Sequence, residues 1–292
     1  MTDIPQPIAL IGAGSVGKTL GRRFHELGLR LGGVACRSGA SALAATRFIG
    51  AGRPADDPDQ ALAGAALITI AVPDHAIDEV ARRLARSPHL SPSAMAFHTS
   101  GALGSDALQP LRDRGLATGS LHPLQAFADP AKAVHYLAGI TYGIEGDAAI
   151  LPVLHELVRR LGGCALSLRP DQKVLYHAAA VIASNYTVAL AALATFVLRH
   201  IGADAASSLQ ALLPLLDGTV RNLDEVGLPA ALTGPIARGD TAVVAAHLRA
   251  LDAVSAELGA IYRRLGRVAA QIAEEKGTLT AERRRELDGL LS

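Results

Sequence analysis

Residues 8–17 read IALIGAGSVG, an apolar run of four followed by Gly12, Gly14 and Gly17 in the spacing G-x-G-x-x-G. The run Ile8 to Ile11 has the pattern of a buried parallel strand, and the glycines open a helix running from Ser15 to about Leu27. Gly12 permits the tight turn. Gly14 lets backbone approach a pyrophosphate without a Cβ in the way, and Gly17 lets the helix pack closely on the strand. Ser15 and Val16 then lie in the first helical turn, whose free N–H groups and positive dipole end face the phosphates.

The second strand, Leu31 to Ala35, is followed by Cys36-Arg37-Ser38, and Arg37 stands 20 residues after Gly17. An enzyme that uses NAD keeps an acid in this region for the ribose 2′-hydroxyl. Here a guanidinium and a hydroxyl take its place, which suits a 2′-phosphate. The expected cofactor is NADP, although a strand-end arginine in solvent has the same local sequence.

The chain has 292 residues, a net charge of +1, 3% aromatic residues and no Trp. Nucleic-acid binding would need basic clusters or stacking platforms, so a small-molecule partner is expected instead. Two cysteines, Cys36 and Cys164, give neither a metal spacing nor a disulfide framework, and no metal is expected. Residues 1–7 lack a basic and an apolar signal region, which points to a cytoplasmic location. Val174 to Leu198 contains no Asp, Glu, Lys or Arg, a length sufficient for a membrane span. Its alanine content, its polar interruptions His177, Ser184, Asn185 and Thr187, and its lack of an aromatic belt favour a buried core helix instead.

Apolar runs and helical stretches alternate from Ile8 to about Leu168, the pattern of a doubly wound α/β sheet. The expected strands are 8–11, 31–35, 67–72, 94–98, 117–121, 140–144 and 165–168, with helices over 76–85, 106–114 and 148–161. From Pro170 only helical periodicity remains. The chain therefore divides into a Rossmann domain, 1–168, and an all-helical domain, 169–292.

Ligands of such sheets sit outside the carboxyl ends of the strands, which brings Val72-Pro73, Thr99-Ser100 and His122 forward. His122 leaves its strand next to Pro123 and can exchange a proton with the atom bound to the reacting carbon. Thr99 and Ser100 offer hydroxyls to a carbonyl or carboxylate, and Ser100 can equally cap the helix before Leu103. Lys173, His177 and Ser184 fall within about 40° of one another on a helix, so they are expected to line a cleft as a polar stripe, Lys173 and His177 as catalytic candidates beside His122 and Ser100, and Ser184 as a substrate contact. Asn185 projects elsewhere and suits a structural hydrogen bond as well as a substrate. In LTGPIARGD, 232–240, Thr233 and Arg238 are candidates for a substrate anion, and Asp240 is a helix cap.

Four segments, FHTSGAL (97–103), GSLHPLQAF (119–127), KVLYHAAA (173–180) and LTGPIARGD (232–240), resemble a bacterial family that joins a Rossmann-like domain to a helical domain of unknown function 2520. The N-terminal half is similar to the NADP-binding domain of 6-phosphogluconate dehydrogenase-like enzymes, including pyrroline-5-carboxylate reductase. The resemblance implies a helical domain of the 6-phosphogluconate dehydrogenase C-terminal type and a homodimer formed through it. His122-Pro123 is similar to the His-Pro motif of prephenate dehydrogenases, which implies a catalytic role for His122. In 3-hydroxyisobutyrate dehydrogenases a catalytic lysine precedes an asparagine by four residues, whereas Lys173 here precedes His177. The function expected is hydride exchange between NADP(H) and a small anionic carbonyl, imine or hydroxy compound. The alternative is an NADP-binding sensor without turnover.

Overall fold

The computed structural model describes residues 2–292. Among them, one sheet holds β1 (Ile8–Ile11), β2 (Leu31–Ala35), β3 (Arg53–Ala55), β4 (Leu67–Ile70), β5 (Met95–His98), β6 (Ala117–Pro123), β7 (Thr141–Gly146) and β8 (Cys164–Ser167). The helices of the same half are α1 (Ser15–Glu26), α2 (Gly39–Ile49), α3 (Pro58–Ala61), α4 (Ile77–Ala85), α5 (Gln109–Arg112), α6 (Pro130–Ala133), α7 (Leu151–Leu161) and α8 (Lys173–Ala183). The strand order is β3-β2-β1-β4-β5-β6-β7-β8, so the chain winds outward in both directions from β1. β1 and β4 are fully buried because helices cover both faces, which is why their sequences are unbroken apolar runs. On one face Ile68, Ile70 and Ala96 pack against Ala81 and Leu84 of α4, and on the other Phe97, Leu121 and Ile144 meet Leu154 and Leu157 of α7.

Two features depart from the sequence pattern. β7 runs antiparallel to β6, with His122 opposite Gly143, because the link between them holds only short helical turns and re-enters the sheet at the end it left. β3 is not legible in the sequence: it has three residues, one of them Pro54, and its pairing with β2 rather than any alternation defines it.

The chain forms two compact units, 1–184 and 185–292, so the boundary lies later than the 168/169 junction expected. Helix α8 belongs to the first unit. The second holds α9 (Asn185–His200), α10 (Ala205–Val226), α11 (Thr241–Val254), α12 (Ala256–Glu275) and α13 (Ala281–Leu290). Its core is Val244 and Leu248 of α11, Ala270 of α12, and Leu287 and Leu291 at the C-terminus.

The single buried helix expected over 174–198 is corrected on two counts. It breaks at Ser184, and within the chain α8 buries only Lys173 while α9 buries nothing. A helix apolar on all sides needs cover on all sides, and one copy of this chain does not supply it.

Candidate active site

At the β1–α1 turn each glycine has a separate geometric reason. Gly12 has φ +88°, and a Cβ there would come within 2.6 Å of the Ala71 carbonyl oxygen and of Val72. A Cβ on Gly17 would lie 2.3 Å from the Gly12 oxygen, so only glycine allows this helix so near its strand. Nothing lies within 4 Å of the Cβ position of Gly14, which leaves open room beside the helix start. Helix α1 has no side-chain cap and no acid in its first turn, where Ser15 and Val16 lie. Uncapped N–H groups beside an empty cradle fit a pyrophosphate.

At the end of β2, Arg37 and Ser38 are exposed. Ser38 caps α2, its Oγ accepting from the Ser41 N–H at 3.3 Å, and Arg37 has no side-chain partner among the described residues. The free guanidinium and the α2 start fit a 2′-phosphate. Asp56, just after β3, brings a carboxylate against Gly39, so an acid stands next to this site without belonging to the β2 end. Val72 packs beside Gly12, and Pro73 leads into the turn Asp74–Ala76.

The ends of β5 and β6 are held by buried polar groups. His98 is fully buried: its Nε2 lies 2.8 Å from the Gly104 carbonyl and its Nδ1 accepts the Ser100 N–H at 3.1 Å. The ring is thus neutral, with its proton on Nε2, and burial holds its pKa down to about 4. Between these anchors the chain turns: Ser100 Oγ accepts from the Ala102 and Leu103 N–H groups. Thr99 is buried and continues the sheet, its N–H donating to Ile70 at 3.1 Å.

Lys173, in the first turn of α8, has no exposed surface. Its Nζ donates to the Ser100 carbonyl at 2.9 Å and to Ser120 Oγ at 3.0 Å. Burial lowers its pKa to about 8, against the opposing influence of Glu145 and Asp74. The side chain points into the sheet and clasps the 99–104 loop to β6. Ser100 is likewise committed to its turn and to Lys173.

His122 lies two residues beyond Ser120 on β6, half-buried. Its Nδ1 is 3.0 Å from the Tyr176 hydroxyl, and the His177 ring stands edge-on to it at 5.7 Å. A Cβ on Gly101 would meet His177 Nδ1 at 2.5 Å and His122 Nε2 at 2.9 Å, so glycine at 101 is what lets both imidazoles close on the loop. His177 Nδ1 is buried without a partner. Burial, reinforced by Lys173 and His177, lowers the His122 pKa to about 4. Near neutral pH the ring is an uncharged imidazole beside the strand ends, able to donate or accept one hydrogen bond.

Sequence reading therefore brings His122, His177, Lys173, Thr99 and Ser100 into one cluster. Ser184 is exposed at the break after α8, two turns past His177, and makes no side-chain hydrogen bond among the described residues. Asn185, Thr233 and Arg238 belong to the second unit and are exposed, and Asp240 caps α11 through the Val243 N–H. Tyr176 was missed, although it stands at i+3 from Lys173 on the face that carries His177. Among the described residues no group of three His, Cys, Asp or Glu side chains could hold a metal. Two cavities, of about 440 and 370 Å³, lie at the α9–α10 turn and beside Arg112 and Glu145.

The chain matches a model described as a Rossmann-like domain over residues 3–123 and one described as a domain of unknown function (DUF2520) over residues 140–269. It is similar to the solved structure of protein TM1727 from Thermotoga maritima, at 26% identity and a TM-score of 0.73, covering 93% of this chain and 100% of that one. The "putative NADP oxidoreductase" BF3122 from Bacteroides fragilis is similar at 25% identity and a TM-score of 0.73, covering 91% of this chain and 98% of that one. An imine reductase from Myxococcus stipitatus, solved with NADP+, shares the fold at 19% identity and a TM-score of 0.57, covering 93% of this chain and 94% of that one. No protein of curated function matches. The chain is a Rossmann-like domain joined to a DUF2520 domain, with the fold found in NADP-dependent oxidoreductases.

Proposed function

We propose that this protein is an NADP-dependent oxidoreductase that acts on a small carbonyl, imine or hydroxy compound, with His122 as the proton-handling group. The observation that carries the reading is the pairing of an uncapped glycine turn at β1 with a neutral imidazole at the end of β6. Gly12, Gly14, Ser15, Val16 and Gly17 would hold the pyrophosphate, Arg37 and Ser38 the 2′-phosphate, and Val72 and Pro73 would flank the nicotinamide side. Bound NADP(H) supplies the hydride donor or acceptor. His122 then hydrogen-bonds the oxygen or nitrogen on the reacting carbon, and Lys173 and Ser100 keep the Gly101 loop against it.

Consumption of NADPH in the presence of keto acids and cyclic imines tests the reading. His122→Ala is expected to lose about 10²- to 10⁴-fold in turnover with NADPH affinity unchanged. Unaltered turnover removes His122 from the chemistry, and NADPH binding without turnover of any offered compound favours a sensor. With a pKa of about 4, His122 stays neutral from pH 5 to 7, so its ionisation gives kcat/KM no limb in that range.

The same reading includes a homodimer, in the cytoplasm. Val188 and Phe196 of α9 and Leu215 and Val220 of α10 are 69%, 51%, 66% and 61% exposed. A surface this apolar on two neighbouring helices calls for a covering partner. The run 170–200 is long and apolar enough to cross a membrane. Lys173, Tyr176 and His177, turned to the sheet in its first part, favour a second copy of the chain over lipid.

A further inference from the structure

Tyr176 has no part in the proposed function, yet its hydroxyl faces the far nitrogen of His122. Its hydroxyl lies 3.0 Å from His122 Nδ1, with the two rings edge to face at 5.6 Å and 89°. Room for the ring is made by Gly143, the residue opposite His122 across the β6–β7 ladder. A Cβ at 143 would come within 2.7 Å of Tyr176 Cζ and 2.8 Å of its hydroxyl, so a side chain there would push the phenol off the strand.

We infer that Tyr176 is a positioning residue that donates its phenol proton to His122 Nδ1 and thereby fixes the proton of the neutral imidazole on Nε2, the nitrogen beside Gly101. The inference rests on His122 as the proton-handling group. The direction of the bond follows from what surrounds the phenol. Burial raises the Tyr176 pKa and keeps the hydroxyl protonated. A protonated phenol has one proton to give, and His122 Nδ1 at 3.0 Å is the acceptor in reach.

The groups that act electrostatically on His122 are Lys173, His177, Asp74 and His98. The lysine cation disfavours an imidazolium, so the ring must choose between two neutral tautomers and Tyr176 makes the choice. An Nε2–H imidazole presents a donor to a substrate oxygen or nitrogen. The other tautomer would present a lone pair and no donor, which reverses the polarity of the site.

Nitrogen-15 imidazole spectra of the full-length protein near pH 7 test this without any substrate, the His122 signals being those lost in His122→Gln. The wild type is expected to show a protonated Nε2 and a bare Nδ1. Tyr176→Phe, which keeps the ring, is expected to give a mixture of tautomers and about a tenfold lower kcat with the KM for NADPH unchanged. Tyr262→Phe, which removes the hydroxyl from the similar His247 pair in the second unit, is expected to leave His122 unmoved. A protonated Nδ1 in the wild type, or the same tautomer in Tyr176→Phe, overturns the inference. If Tyr176→Phe does not fold, the wild-type spectrum decides alone. The spectra stand whether or not the protein turns over a substrate, so a failure of the enzyme reading and a failure of this one are told apart.

Discussion

Strand β1 and helix α8 are both apolar in sequence and use that apolarity in opposite ways. β1 buries all four of its residues between two layers of helices. α8 turns Lys173, Tyr176 and His177 toward the ends of the sheet and leaves Val174, Leu175 and Ile182 at 67%, 77% and 61% exposure. An apolar run therefore implies burial only where the chain has something to put over it. On α8 the polar face meets the protein's own sheet, because the loop 99–104 and β6 offer carbonyl and hydroxyl acceptors there. The apolar face is left exposed.

The strongest way to break this arrangement is to empty the inner face. Lys173→Ala deletes a buried stem and two charge-assisted hydrogen bonds, and a loss of about 3 kcal/mol or more in urea unfolding is expected. A smaller loss, within 1 kcal/mol, would mean that the clasp on Ser100 and Ser120 is not what holds the loop. The ionisation gives a second check. The folded pKa of about 8 lies below the unfolded value of 10.5, so between these pH values the unfolded chain retains a proton that the folded one has shed. Stability therefore gains from this group as pH rises through that window, by at most about 1.4 kcal/mol per unit, and Lys173→Met should abolish the gain.

The outer face is tested by charge. Leu175→Asp is expected to weaken the proposed dimer by about 10²-fold, close to 2.7 kcal/mol, and to shift sedimentation toward monomer at fixed concentration. An unchanged association state would place the partner surface elsewhere. At the β1 turn, Gly14→Ala enters open space at φ −70° and should leave stability within about 0.5 kcal/mol. NADPH binding should nonetheless weaken about tenfold, because the methyl occupies the cradle. Loss of stability instead would show that the glycine serves packing, as Gly17 does.

Much of this molecule is legible in its sequence, and where it is not the cause is physical. The strands of the doubly wound sheet follow from runs such as Leu67–Ile70, because burial on both faces leaves no polar alternation to confuse them. β3 is invisible because pairing across the sheet, a long-range property, is all that makes Arg53–Ala55 a strand. At the site, position at a strand end identified His122 and helical spacing identified Lys173 with His177. The same spacing contained Tyr176, whose aromatic ring reads as core until Gly143 is seen opposite it. Burial could not be read for α8 and α9, since sequence records how apolar a face is and not whether this chain or another covers it.

The turn at Gly12–Gly17 and the free Arg37 are the proposed hold on NADPH. Fluorescence titration of the wild type with NADPH and NADH side by side, repeated on Arg37→Asp, addresses it most directly. NADPH should bind more tightly than NADH in the wild type, and the variant should lose about 1.5 to 3 kcal/mol of NADPH affinity for each charge-assisted bond removed while NADH binding changes little. Binding of neither nucleotide, or equal binding of both that Arg37→Asp does not alter, would mean that this turn and Arg37 do not hold NADPH.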